Sequence, residues 1–216
     1  MKLFLDTIDA DELPALWAHR AFHGVTTNPL ILARAAVTPE QAVGRCRRLG
    51  IDRLFLQAAW GEPSAMTADA ERLAGLLDGR LWIKIPALEH GFAAMAALRR
   101  AGVRTAATAI LSLGQALLAA EAGADVVIPF VGRVAQAAGD EGAVRLLEDV
   151  RRLAADGGPR VLVASIKTEE HVRLALRAGC WAVTLPPAVA RSFVTNPAAA
   201  EVLEQFRRAE QAGGDE

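Results

Sequence analysis

The sequence predicts an α/β protein folded as a (β/α)8 TIM barrel, and three observations favour this fold. Eight short runs of β-forming residues alternate with longer helical stretches. At 216 residues, 52% of them hydrophobic, the chain has the size and composition of one globular domain, predicted to span 1–216. Polar residues cluster where the predicted strands end, which is where a barrel carries its functional groups. A doubly wound open sheet is the alternative, and the strand count favours the barrel.

Each predicted strand is an apolar run bounded by turn or helix-end residues. The eight strands are predicted at 2–6, 22–26, 53–59, 81–85, 103–109, 125–130, 160–165 and 181–185. The helices between them open with caps such as Asp9 and Thr38, and three of them close on Ala-Gly at 101–102, 122–123 and 178–179. A further helix at about 198–209 follows the eighth unit, with Val202, Leu203 and Phe206 on one apolar face.

Composition and motif content exclude several classes of protein. The chain has 24 basic and 25 acidic residues, so it lacks the basic surplus of a general nucleic-acid binder. No apolar run reaches the roughly 20 residues that span a bilayer, and no signal peptide is recognisable. The two cysteines, Cys46 and Cys180, are too few for a disulfide scaffold, and the four histidines lack metal-ligand spacing. We expect a cytoplasmic protein with reduced thiols that binds no membrane, nucleic acid, metal or cofactor.

Lys84 is the sharpest catalytic candidate. It lies between apolar neighbours in the fourth strand, where alternation puts it on the same buried face as Trp82. Burial lowers the pKa of a lysine and frees the neutral amine that a Schiff base requires. The alternative is a lysine that extends from a strand end to solvent. The other lysines are Lys2 and Lys167, and the chain has no tyrosine for acid–base work.

Other polar residues follow the same pattern at strand ends. Asp6 ends the first strand and is either a proton acceptor beside Lys84 or a turn carboxylate. Arg133, Ser165 and Lys167 form a plausible anion-binding set, although each one singly is also typical of a solvated surface.

Five motifs in order carry a resemblance to a known family. They are Leu5-Asp6-Thr7, Gly24-Val25-Thr26-Thr27-Asn28-Pro29, Ile83-Lys84-Ile85-Pro86, Pro129-Phe130-Val131-Gly132-Arg133 and Ala164-Ser165-Ile166-Lys167. With them the chain resembles the small-subunit branch of the transaldolase family, which includes the short transaldolases and fructose-6-phosphate aldolase. The similarity runs from Lys2 to about Arg208.

The resemblance implies a class I aldol mechanism, without a metal, in a circularly permuted (β/α)8 barrel. Lys84 would form the Schiff base with a ketone donor, and Asp6 would assist the proton transfers. Thr26 and Asn28 would hold hydroxyl groups of the donor.

The resemblance also implies the partners of the chain. Arg133, Ser165 and Lys167 would match the phosphate-binding set of the family, so the ligand would be a small sugar phosphate or hydroxyketone. The family assembles as homodecamers of two pentamers, in which the C-terminal helix reaches a neighbouring subunit. The same assembly is expected for the helix at about 198–209.

Two positions bear on the type of activity. Typical transaldolases have a glutamate at the position of Gln57 and a phenylalanine at that of Phe130, whereas the aldolase branch has glutamine and tyrosine there. This chain has Gln57 with Phe130 and therefore neither the carboxylate nor the phenol. Gln57 and Thr108 can hold a water but cannot titrate near neutral pH.

The sequence is therefore compatible with four functions. Thr108 and Gln57 favour an aldolase that cleaves the C3–C4 bond of ketose phosphates such as fructose 6-phosphate, with a dihydroxyacetone-type donor. The alternatives are a transaldolase proper, a catalytically weakened sugar-phosphate-binding homologue, and a Schiff-base enzyme for another carbonyl substrate.

Overall fold

Eight parallel strands form a closed barrel in the computed structural model, which describes residues 1–77, 81–155 and 157–213. The strands follow one another around the barrel in chain order, and the last pairs with the first. They are β1 (Lys2–Leu5), β2 (Gly24–Thr26), β3 (Leu54–Gln57), β4 (Leu81–Pro86), β5 (Thr105–Ile110), β6 (Val126–Pro129), β7 (Arg160–Val163) and β8 (Ala182–Leu185). The predicted (β/α)8 fold is confirmed.

Most strands are shorter than the apolar runs that predicted them. The run at 22–26 is a strand only over Gly24–Thr26, and the run at 53–59 only over Leu54–Gln57. Residues before the strand still hydrogen-bond to the sheet, since the His23 N–H donates to the Leu3 carbonyl at 2.7 Å. Hydrophobicity marks the buried stretch of chain, whereas strand boundaries depend on how far the neighbouring strands pair.

Helices connect the strands and cover the outside of the barrel. They are α1 (Glu12–Trp17), α2 (Pro29–Arg34), α3 (Pro39–Arg48), α4 (Pro63–Ala74), α5 (Glu89–Arg100), α6 (Leu113–Glu121), α7 (Val131–Leu153), α8 (Glu169–Arg177), α9 (Pro187–Val194) and α10 (Pro197–Gly213), with a 3-10 helix at Gly75–Leu77. Thr38 caps α3 in a reciprocal capping box with Gln41. The Asp9 carboxylate accepts from the N–H groups of Asp11 and Glu12, and so secures the turn into α1.

Strand alternation separates two apolar clusters. One lies between the strands and the helices, and the other fills the barrel interior. In the interior the Phe55 ring stacks on the Trp82 ring with centroids 4.9 Å apart, and Phe4 meets Phe55 edge to face. Trp82 therefore faces inward, so the buried face predicted for Trp82 and Lys84 together is the one that lines the barrel interior.

Inward side chains form layers, each built from alternate strands. The strand pairing sets which inward side chains lie at the same height in the barrel. The layers in the middle are apolar, and the layers at both ends carry polar or charged residues. The layer at the amino end of the strands holds Lys2, Arg53, Arg104 and Arg160. Two layers near the carboxyl end carry predicted site residues. The lower one holds Thr26, Lys84, Ile128 and Thr184, and the one nearer the carboxyl end holds Asp6, Gln57, Thr108 and Ala164.

The two thiols are buried and unreactive. Cys46 and Cys180 are both free, and burial raises the pKa of each thiol to about 12. Neither one forms an appreciable amount of thiolate at neutral pH. Across residues 1–77, 81–155 and 157–213, every helix is too short or too polar to traverse a bilayer.

Candidate active site

Lys84 lies inside the carboxyl half of the barrel with only 4% of its surface exposed. The ladder pairs it with Gln57 of β3 on one side and with Ala106 of β5 on the other. Its Nζ donates a hydrogen bond to the Thr27 carbonyl at 2.8 Å. Burial lowers the pKa of Lys84, because the protein interior solvates an ammonium poorly, and the negative charge of Asp6 partly opposes this shift. The amine is therefore closer to its neutral, nucleophilic form than a surface lysine is.

Asp6 is the electrostatic partner of Lys84. It follows β1, where its backbone N–H donates to the Leu185 carbonyl at 2.8 Å. Burial raises the pKa of Asp6, while the charge of Lys84 and a hydrogen bond from Thr26 work in the opposite direction. Burial thus moves both groups toward their uncharged forms, and the opposite charge of each group counteracts the shift of the other.

A chain of hydroxyl groups supports the Asp6 carboxylate. The Thr26 Oγ1 donates to Asp6 Oδ1 at 2.7 Å and lies 2.5 Å from the Thr184 Oγ1. Because Thr26 has one hydroxyl hydrogen and gives it to Asp6, the Thr184 hydroxyl donates to Thr26. Thr184 is a site residue that the sequence analysis missed. Its signal was alternation along β8, which places it inward between Ala182 and Pro186.

Gln57 and Thr108 flank Lys84 from the neighbouring strands. Thr108 pairs with Pro86 of β4 and is buried, and its Oγ1 has no hydrogen-bond partner among the described residues. The β5 ladder shifts register between Ala107 and Ile110, and Ala109 adopts a φ of 61°. Such a bulge redirects the chain next to the site, and strain of this kind is common near functional groups.

Ser165 and Lys167 lie at the rim of the barrel beside the first turn of α7, which carries Arg133. A Cβ added to Gly132 would lie 2.3 Å from the Ser165 carbonyl oxygen and 3.2 Å from Lys167 Cγ, so only glycine lets the first turn of α7 approach this loop. Ser165 has a φ of 60° and is half-buried, whereas Arg133 and Lys167 are exposed. Within the described ranges Arg133 and Lys167 have no ion-pair partner, so both charges are available to an anion.

Asn28 and Phe130 complete the predicted residues. The Asn28 Oδ1 accepts from the Ile31 N–H at 3.0 Å and caps α2, so this side chain has the turn role that its sequence context favours. Phe130 forms a bridge with Ala164 and packs against the inner apolar cluster. Its ring brings no polar group to the site.

The arrangement suits carbonyl chemistry at an amine. Thr26 hydrogen-bonds to Asp6, and the charge of Asp6 acts on the buried amine of Lys84. Gln57 and Thr108 lie on the strands adjacent to that of Lys84, and the exposed cations Arg133 and Lys167 lie at the rim. No group of three or more His, Cys, Asp or Glu side chains could hold a metal ion in the part of the chain that the structure covers.

Solved structures share the fold at low sequence identity. A mandelate oxidase mutant with a monooxide FMN adduct matches with a TM-score of 0.59 and 17% identity over 90% of this chain and 67% of that chain. Thiamine phosphate pyrophosphorylase from Pyrococcus furiosus matches with a TM-score of 0.57 and 15% identity over 88% of this chain and 87% of that chain. These likenesses concern the fold alone.

The family model described as Transaldolase/Fructose-6-phosphate aldolase matches residues 3–215. The matched segment includes the buried Lys84–Asp6 pair and the residues at the rim. Since the match covers nearly the whole chain, the chain belongs to the transaldolase/fructose-6-phosphate aldolase family.

Proposed function

We propose that the chain is a Schiff-base aldolase that cleaves or forms the C3–C4 bond of ketose phosphates such as fructose 6-phosphate, with a dihydroxyacetone-type donor. Its family makes it an enzyme of the aldolase or transaldolase type. The observation that supports the finer proposal is the Lys84 amine, which is buried beside the Asp6 carboxyl group with its pKa lowered. A lysine in this setting is typical of Schiff-base catalysis.

The first half of the reaction forms the imine. The neutral Lys84 amine attacks the ketone C2, and the carbonyl oxygen takes up a proton to give a carbinolamine. Protonation of that hydroxyl and loss of water then give the protonated imine, in which nitrogen keeps one of its two amine protons. Asp6 is the group that gives and receives these protons, and the Thr26 hydroxyl orients its carboxylate.

The second half breaks the C3–C4 bond. The C4 hydroxyl loses its proton, its oxygen becomes an aldehyde carbonyl, and the C3–C4 electron pair moves toward the protonated imine to form an enamine. We assign the water that accepts this proton to Gln57 and Thr108, since Thr108 has an unpartnered buried hydroxyl. Ser165, Arg133 and Lys167 would hold the phosphate of the sugar at the rim.

Dihydroxyacetone transfer between sugar phosphates is the second candidate. Phe130 favours it, because the apolar ring supplies no acid to complete release of the donor. An enamine that is protonated slowly persists long enough to attack a second aldehyde.

Borohydride reduction tests the proposed function. The full-length protein is incubated with dihydroxyacetone and, separately, with fructose 6-phosphate, then reduced and analysed by intact mass and peptide mapping. We expect one stable adduct, located on Lys84. An adduct on Lys2 or Lys167 instead, or no adduct with any ketone, would contradict the mechanism.

We also propose a homodecamer in which α10 packs on a neighbouring subunit. Its Val202, Leu203 and Phe206 side chains are 44%, 64% and 57% exposed, so this apolar face is uncovered in the single chain. Deletion from Ala198 onward should dissociate the assembly and lower activity together. Light scattering after size exclusion measures this, and a full-length protein that elutes as a monomer would disprove the proposal.

A further inference from the structure

The amino end of the barrel carries a layer of cations that the proposed reaction does not use. Lys2 and Arg160 begin β1 and β7, and Arg53 and Arg104 directly precede β3 and β5. Alternation puts all of them on the inward face, two residues before the buried side chains Phe4, Phe55, Ala106 and Leu162. Four positive charges therefore converge at the end of the barrel opposite Lys84.

Two adjoining cavities place these cations close together. Arg53 and Arg104 line a cavity of about 310 Å³ with Trp82 and with Asp52, which is ion-paired to Arg53 at 3.3 Å, and Arg104 and Arg160 line a second one of about 470 Å³. His23 lies near these charges, since its imidazole pKa is lowered first by burial and then by Arg53, Lys2 and Arg160, while Asp52 acts in the opposite direction. The larger cavity has the size of an ordinary small-molecule site.

Charged side chains line the larger cavity. Among the described residues these are the guanidinium groups of Arg99, Arg104 and Arg160 and one carboxylate, that of Asp125. Asp125 Oδ2 already accepts from the Thr105 N–H at 2.8 Å. Within residues 1–77, 81–155 and 157–213 neither Arg99 nor Arg160 has an ion-pair partner.

The remaining walls suit a compact, polar ligand. Gly123, Gly157 and Gly158 are among the lining residues, and the Arg99 side chain packs over Gly123, where an added Cβ would lie 2.1 Å from Arg99 Cδ. Arg104 lies over the Trp82 ring, 4.2 Å from its centroid, and Arg160 lies 5.2 Å from the centroid of Trp181. These stacking contacts hold the planes of both guanidinium groups against aromatic rings.

We infer that the larger of the two cavities at the amino end, the one lined by Arg99, Arg104 and Arg160, binds a phosphate group. The ligand is either inorganic phosphate or the phosphate of a small metabolite. Guanidinium groups pair with phosphate oxygens in a two-point geometry, and several of them around one cavity favour a dianion over chloride. This site is separate from the one proposed at Arg133 and Lys167, which lies at the other end of the barrel. The inference does not depend on the proposed function, because no residue of the cavity takes part in that chemistry.

Calorimetric titration of the full-length protein with inorganic phosphate, at constant ionic strength set with chloride, tests the inference. The double variant Arg133→Gln/Lys167→Gln removes the rim charges and should retain one phosphate site per chain. Adding Arg160→Gln to that background should weaken the remaining site about tenfold or more, since a charge-assisted hydrogen bond is lost. Titration with glycerol phosphate and fructose 6-phosphate then shows whether a free phosphate or a monoester binds more tightly.

Arg99→Gln and Arg100→Gln make a matched pair of controls in the same background. Both are exposed arginines at the end of α5, and Arg99 lines the cavity whereas Arg100 does not. We expect Arg99→Gln to weaken phosphate binding several-fold and Arg100→Gln to leave it unchanged. This pair tests the inference independently of Arg160→Gln, whose effect could also come from disturbed packing of Trp181. The inference is wrong if the rim variant binds no phosphate, or if Arg99→Gln and Arg100→Gln behave alike.

Discussion

The two ends of the barrel both hold cations on inward positions of the strands, yet they give them opposite chemical character. At the carboxyl end Lys84 is surrounded by protein, and burial lowers the pKa of its amine. At the amino end the cations are mostly arginines that line open cavities. A guanidinium stays protonated under conditions in which a buried amine does not. The same alternation therefore supplies a nucleophile at one end and fixed positive charge at the other.

The largest loss of activity is expected when the lysine at the carboxyl end is replaced by an arginine, the residue that predominates at the amino end. Lys84→Arg keeps the charge but cannot condense with a carbonyl, so borohydride trapping should vanish and cleavage of fructose 6-phosphate should fall about 10⁴-fold or more. Intact mass and a coupled assay measure the two losses.

Lys167→Arg is the matched control for that substitution. Lys167 is exposed and contributes charge rather than an amine in the proposed mechanism. Its arginine variant should be trapped as efficiently as the unmodified chain. Trapping that survives Lys84→Arg and disappears in Lys167→Arg would reverse the roles of the two lysines.

The next largest loss of activity is expected when the negative charge of Asp6, which acts on Lys84, is removed. Asp6→Asn should lower cleavage by about 10²–10⁴-fold, because a general acid–base group is lost. The Asp6 charge raises the pKa of Lys84, so its removal lowers that pKa further. The midpoint at which the trapping rate rises with pH should therefore move to lower pH.

The rate of trapping between pH 5 and 10 measures that shift, against an ordinary lysine pKa of about 10.4. Asp9→Asn serves as the control, since Asp9 is exposed and hydrogen-bonds within its own turn. A midpoint that stays in place or moves upward in Asp6→Asn would show that Asp6 is not the electrostatic partner of the amine.

A smaller gain is expected from adding an acid to the carboxyl end. Phe130→Tyr places a phenol beside the water assigned to Gln57 and Thr108, and should raise cleavage of fructose 6-phosphate about tenfold or more. Gln57→Glu should instead favour transfer to a second aldose phosphate. Product analysis by chromatography separates cleavage from transfer, and an unchanged rate in a folded Phe130→Tyr would mean that another step limits the reaction.

The smallest effect should come from the hydroxyl chain behind Asp6. Thr184→Val removes the donor to Thr26 and should lower cleavage about five- to tenfold, as expected for one neutral hydrogen bond. Trapping of the donor should persist, because Lys84 is untouched. Thr184→Ser restores the hydroxyl and should recover the rate; a serine variant as slow as the valine variant would indicate a packing role for Thr184.

The sequence was sufficient for the strands and for the burial of Lys84, because both follow from local apolar runs and from alternation within one strand. It was not sufficient for Thr184 or for the cation layer at the amino end. Their neighbours come from strands far apart in the chain, and which residues share a layer depends on the stagger between strands. The role of Asn28 could not be predicted from the sequence either, because a residue at its position can cap a helix or face the site, and the structure shows the cap.

The two-residue spacing of Trp82 and Lys84 on β4 has a consequence for how this sequence can change over evolutionary time. One residue inserted between them would turn one of the two side chains outward toward the helices. One residue inserted ahead of both would instead invert the whole strand against its neighbours. Deletions would act in the same way. We therefore expect homologous chains to vary in length within the loops, as between Gln57 and α4, and to conserve the length of β4 even where its apolar residues have been replaced.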